Sequence, residues 1–89
     1  MTLPKLLDTI AILSDIPTHQ LQLVEPEYAV LPYLPQGLIG TIVEVYHSET
    51  SSHYSVEFAD EQGHEYAVAT LQASEFLVLH AELPLSLAS

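Results

Sequence analysis

The chain contains no cysteine and only one basic residue, Lys5. Without cysteine there is no disulfide, no thiolate metal ligand and no cysteine nucleophile, a pattern that fits a reducing compartment. One lysine set against twelve acids leaves a formal net charge of −11. Proteins hold a phosphate backbone by neutralising it with lysine and arginine, so nucleic acid and anionic membrane are not expected partners. The only glycines are Gly37, Gly40 and Gly63; they form no phosphate-cradling loop, and no serine sits in a nucleophile elbow. No stretch approaches the ~20 apolar residues of a membrane span. The first residues, Met1 to Thr9, lack the apolar run of a secretory signal. The expectation is a cytoplasmic domain that is not an enzyme and carries no cofactor and no metal.

What the chain does contain is apolar residues at 48% of its 89 positions. A chain of this size buries roughly 60–65% of its unfolded surface, enough for one core, and residues 1–89 read as a single domain. The run Leu6–Leu13 predicts a first strand near Thr9–Leu13, with a short helix as the competing reading. Ser14–Gln36 carries Pro17, Pro26, Pro32 and Pro35, which argue against a central strand or a long helix and predict a long connection. Thr41–His47 is rich in β-branched residues and predicts a strand. Ser48–Ser52 is a polar turn. His53–Asp60 alternates, with Tyr54, Val56 and Phe58 on one face, and predicts a half-buried strand.

Asp60–Gly63 then makes a tight hairpin, with Asp60 capping its own turn and Gly63 supplying positive φ. Glu65–Leu71 is the returning strand. Ala73–Phe76 suits one helical turn, capped by Ser74 or Thr70. Leu77–His80 is a last short strand, and Ala81–Ser89 reads as a frayed tail in which Leu83, Leu85 and Leu87 could pack. The pattern is mostly β: a five-stranded SH3-like barrel with a long Pro-rich first loop and one helical turn before the last strand. Strand alternation names Val43, Val45, Val56, Phe58, Val68 and Leu77 as core residues.

The motifs Lys5–Ala11, Asp15-Ile16-Pro17, Gly40–Tyr46, Tyr54–Phe58 with Asp60 and Gly63, and Leu77–His80 together resemble a family of small acidic bacterial proteins, common in cyanobacteria and known only as a domain of unknown function. The resemblance spans about Leu3 to His80. Gly-Thr-Ile-Val alone is shared with many barrels of the KOW and Tudor type; the ordered set is more specific. Between Asp15-Ile16-Pro17 and Gly40 this chain is longer than is usual for the family, through an insertion at Leu21–Pro35. The resemblance implies a compact interaction module without catalytic residues, of the kind that accompanies a second small gene, as antitoxins do.

Four groups of residues are candidates for a site. His47 and His53 flank the Ser48–Ser52 turn and, with Glu49, could hold zinc; exposed turn histidines are the preferred reading. Asp60, Glu61 and Glu65 surround the second hairpin and could form an acid–base pair, but solvated carboxylates fit a hairpin tip better. Tyr54 and Tyr66 suit the core or a cross-strand pair. The insertion offers Val24, Tyr28, Val30, Leu31, Tyr33 and Leu34 beside Glu25 and Glu27, either as a lid over the core or as a partner-binding surface. The function expected is an acidic protein-binding module, with a basic protein as its partner because opposite charge speeds encounter. The alternative is a homo-oligomer in which the insertion forms the subunit interface.

Overall fold

The computed structural model describes residues 3–24 and 32–80. Among these residues eight strands follow one another: β1 Thr9–Ile12, β2 Ile16–Pro17, β3 Leu21–Leu23, β4 Tyr33–Leu34, β5 Ile39–His47, β6 Ser52–Ala59, β7 Glu65–Leu71 and β8 Phe76–Leu79. Single 3₁₀ turns at Thr18–Gln20 and Ala73–Glu75 are the helical elements among the described residues. Six strands form one antiparallel sheet in the order β3-β7-β6-β5-β1-β8, and β2 pairs with β4 in a separate two-stranded ribbon.

Among the described residues the sheet is not closed and has six strands, with β3 and β8 as its edges, which corrects the expectation of a five-stranded barrel. The ribbon covers the inner face instead: Ile16 and Leu34 join the same core as the sheet residues. The Pro-rich connection therefore holds structure. Among the described residues that structure is the two-residue ribbon of β2 and β4, the Thr18–Gln20 turn and the edge strand β3, and an edge or a short ribbon is where a proline's missing N–H costs least. Thr18 donates its N–H to the Pro32 carbonyl, and the Asp15 carboxylate accepts the Gln36 N–H at 2.8 Å, so both ends of the ribbon are tied down.

The core follows from how large and small side chains alternate across the inner face. Phe58 is flanked by Gly40 on β5, by extension of the register, and by Ala67 on β7; Val56 is flanked by Ile42 and Ala69; Tyr54 is flanked by Val45 and Leu71. The small residues make room for the ring of Phe58, which is fully buried. Phe76 meets Tyr54 edge to face, with ring centroids 5.4 Å apart.

Of the six expected core residues, Val56 and Phe58 are buried and Val45 packs against the core. Val43, Val68 and Leu77 are corrections. A bulge between Ile42 and Glu44 leaves Val43 out of the ladder and hands its place to Ile42. Val68 lies opposite Glu57 and Gln22 on the outer face. Leu77 points outward because Phe76 takes the inner position. The last 3₁₀ turn is capped by Gln72, not Ser74 or Thr70: Gln72 and Glu75 form a capping box in which the Glu75 carboxylate accepts the Gln72 N–H at 2.8 Å. The hairpin at Asp60 forms as expected. Asp60 Oδ1 accepts the N–H groups of Gln62 and His64, each at 2.9 Å, and Gly63 has φ 83°.

Two substitutions test this packing by chemical denaturation. Phe58→Ala is expected to lose about 3–5 kcal/mol, as for other buried aromatics. A Cβ on Gly40 would stand 2.6 Å from Val56 Cγ1 and 2.9 Å from Phe58 Cε1, so Gly40→Ala is expected to lose about 1–3 kcal/mol through overpacking. A Gly40→Ala protein as stable as the parent would refute the close approach.

Candidate interaction surface

The sheet has two faces, and only the inner one is covered by the ribbon. On the outer face the ladder sets residues in cross-strand rows. One row runs Leu79, Thr9, Thr41, Glu57, Val68, Gln22; another runs Leu77, Ala11, Ile39; a third holds Glu44, Ser55 and Thr70. Chemistry is segregated along these rows. The β8 side is apolar, with Leu77 56%, Ile39 49% and Leu79 37% exposed. The β6 and β7 side carries the carboxylates of Glu57 and Glu65, and Glu44 stands on β5 at the same side of the sheet.

The carboxyls of Glu57 and Glu65 are close enough to share a hydrogen bond. That bond, then partial burial and the repulsion of the second charge, pushes the Glu57 carboxyl up from its ordinary value. Tyr46 donates its hydroxyl to the Glu44 carboxylate, and the same contact pushes the phenol up. The single cation offers no relief on this face, because the Lys5 ammonium is engaged by Asp8 at 2.7 Å.

The structure places the expected site residues as follows. Val24 and Tyr33 are exposed, whereas Leu34 is 1% exposed and belongs to the core. Leu34 is thus corrected from a contact residue to a core residue: along β4 the side chains alternate, so Leu34 turns inward with Ile16 while Tyr33 turns out with Pro17. Tyr28, Val30 and Leu31 lie outside the described residues, as does the tail Ala81–Ser89. His47 and His53 do not face each other. Tyr46 pairs with His53 and His47 with Ser52, so the two imidazoles leave the hairpin on opposite faces. His47 Nδ1 instead lies 2.8 Å from Ser52 Oγ. Among the described residues no three of His, Asp and Glu converge as a metal site would require. Tyr54 and Tyr66 are both buried; burial, then the charge of Asp60, pushes the Tyr66 phenol up.

Sequence reasoning missed the Glu57–Glu65 pair and the Leu77–Leu79–Ile39 strip. The alternation of His53–Asp60 already put Glu57 outward; the shifted register after Phe58, which pairs Glu65 with Ala59 and so sets it diagonally across from Glu57, was the missing information. Fold and surface together define a small all-β domain with no pocket among its described residues and a divided outer face. The chain belongs to the family described as domain of unknown function DUF4926, whose match covers residues 6–78. No curated protein and no solved structure matches it. Among the described residues no helix is long and apolar enough to cross a membrane.

The shared proton of the carboxylate pair has a measurable consequence. The folded state holds it to a higher pH than the unfolded chain does, so stability falls as pH rises from the ordinary carboxylate range through the raised value. Glu57→Gln is therefore expected to raise the melting temperature at neutral pH. The gain should vanish below the ordinary carboxylate range, where both acids are protonated in either state. A gain independent of pH, measured by thermal scans across that range, would mean that the pair is not coupled.

Proposed function

We propose that this domain is a non-catalytic protein-interaction module that receives a basic protein surface on the acidic side of its outer face. In this reading the partner is encoded nearby and is neutralised in the manner of an antitoxin and its toxin. The observation that carries it is the charge distribution. Twelve acids face one base, that base is taken up by Asp8, and Glu44, Glu57 and Glu65 stand unneutralised on the sheet. Like charges so placed cost the isolated domain stability, and a cationic partner removes that cost while being steered by the same field.

Recovery of partners from native lysate tests the proposal, with the neighbouring gene product as the first candidate. The expected partner is basic, and its affinity falls as salt is added. A Glu44→Gln, Glu57→Gln, Glu65→Gln protein keeps its circular dichroism and loses the partner; undiminished recovery would sink the reading. DNA and RNA are expected not to bind at physiological salt.

The exposure of Val24 and of Tyr33, 47% for the latter, favours a second reading, in which the insertion around them is a subunit interface. Tyr33→Ser then lowers the mass in solution with the fold intact.

A further inference from the structure

Among the described residues the sheet ends at β8, and the chemistry of that edge differs from the rest of the surface. Phe76-Leu77-Val78-Leu79 contains no charge, no proline and no glycine, so it lacks the devices that usually protect an exposed edge. Which of its backbone groups lack a partner among the described residues follows from the ladder. Leu13 donates its N–H to the Glu75 carbonyl at 3.0 Å, and Ile12 and Leu38 bond on the other side of β1. Bonding alternates along an antiparallel pair. Hence Glu75, Leu77 and Leu79 turn their backbone groups to β1, while Phe76 and Val78 turn theirs to the open edge. The outward side chains Leu77 and Leu79, with Ile39 two strands in, form the exposed apolar strip beside that edge.

We propose that β8 pairs with β8 of a second copy of this chain, joining two sheets across a two-fold axis. Two copies that share one continuous sheet must present the same face, so opposed residues have the same parity. Centring the axis on Val78 satisfies this. Val78 exchanges both bonds with its counterpart, Phe76 pairs with His80 of the second copy and His80 with its Phe76, and Leu77 stands against Leu79 on the outer face, where side chains approach closest. The edge is thus complementary to itself.

Charge permits a second copy at this edge and opposes one on the acidic side of the outer face. Two acidic domains repel wherever carboxylates meet, but Glu57 lies three strands in from β8. At ~4.8 Å per strand its two copies stand more than about 30 Å apart, well beyond the ~8–10 Å screening length at physiological salt. Glu75, next to the edge, has its carboxylate turned back onto the Gln72 N–H. A basic partner finds no carboxylate within β8 to recognise. The contact is short, below the area of a standard stable interface, so the dimer is a weak one, and it is independent of the acidic face argued above.

Sedimentation of the full chain from low micromolar to millimolar concentration tests the proposal. The expected result is a shift from monomer to dimer that added salt leaves intact or strengthens, opposite to the salt response of a basic partner. Val78→Pro removes an N–H that faces the open edge and no bond to β1; Leu77→Lys places a charge on the exposed strip. Each is expected to abolish the dimer, and should Val78→Pro fail to fold, Leu77→Lys decides alone. Hydrogen exchange at Val78 is expected to slow as concentration rises. A monomer at every concentration overturns the proposal, as does a dimer that survives the substitutions. So does protection of the Val78 amide that does not depend on concentration, which would assign the edge to the chain's own remaining residues.

Discussion

The sheet depends on the absence of a side chain at Gly40. On the inner face that residue lies between Ile10 of β1 and Phe58 of β6, and the Phe58 ring occupies the space a Cβ would need. With Ala67 on its other side, the ring sinks fully into the layer. The neighbouring rungs obey the same rule, as Val56 and Tyr54 stand beside partners whose combined size closes the gap. Close packing of this kind tolerates little change in volume, and it fixes which face of each strand is inner. Once the inner face is set, the outer face is set too, because consecutive strand residues point opposite ways.

The divided outer face is thus a consequence of core packing. Tyr54, Val56 and Phe58 must be inward, which puts Ser55 and Glu57 outward. Phe76 must be inward to meet Tyr54, which puts Leu77 and Leu79 outward. The acids collect on the central strands and the leucines at one edge because the same constraint acts on strands of different composition. The central strands bury one face and alternate with polar residues, as antiparallel sheets with one wet face do. β8 is apolar throughout, so whichever way it turned, apolar side chains would face solvent.

This explains what was legible in the sequence. The strands Thr41–His47, His53–Asp60 and Glu65–Leu71 were readable because β-branched runs and hairpin residues bound them, and the Asp60–Gly63 turn carried its own chemistry. Phase was readable only where apolar and polar residues alternate, as in β6. In Tyr66-Ala67-Val68-Ala69 the larger valine looked like the core residue, yet the alanines are inside, because Phe58 and Val56 already fill the space they face. In Phe76-Leu77-Val78-Leu79 no alternation exists and the aromatic decided the phase. At Val43 a bulge shifted it, and Ile42-Val43 offered two equal candidates for one place. Closure failed as an expectation for a related reason. A five-strand count assumes that the first loop is only a loop, whereas Ile16 and Leu34 cap the inner face and, among the described residues, β3 and β8 stand at the edges of the sheet.

The insertion and the acidic face represent opposite solutions to solvent exposure. In the ribbon, one residue of each neighbouring pair turns inward: Leu34 and Ile16 enter the core, Tyr33 and Pro17 do not. A lid and a contact surface are therefore compatible in one segment, since alternation supplies both from adjacent positions. On the acidic face no such division is available. Glu57 and Glu65 are both outward, and neither can turn away without breaking the rung that buries Phe58 or Ala67. Their repulsion is held in place by the core, and a shared proton or an incoming cation can relieve it. The constraint at Gly40 thus reaches the surface through three strands: it seats Phe58, Phe58 fixes the phase of β6, and that phase holds the carboxylates where a basic partner would meet them.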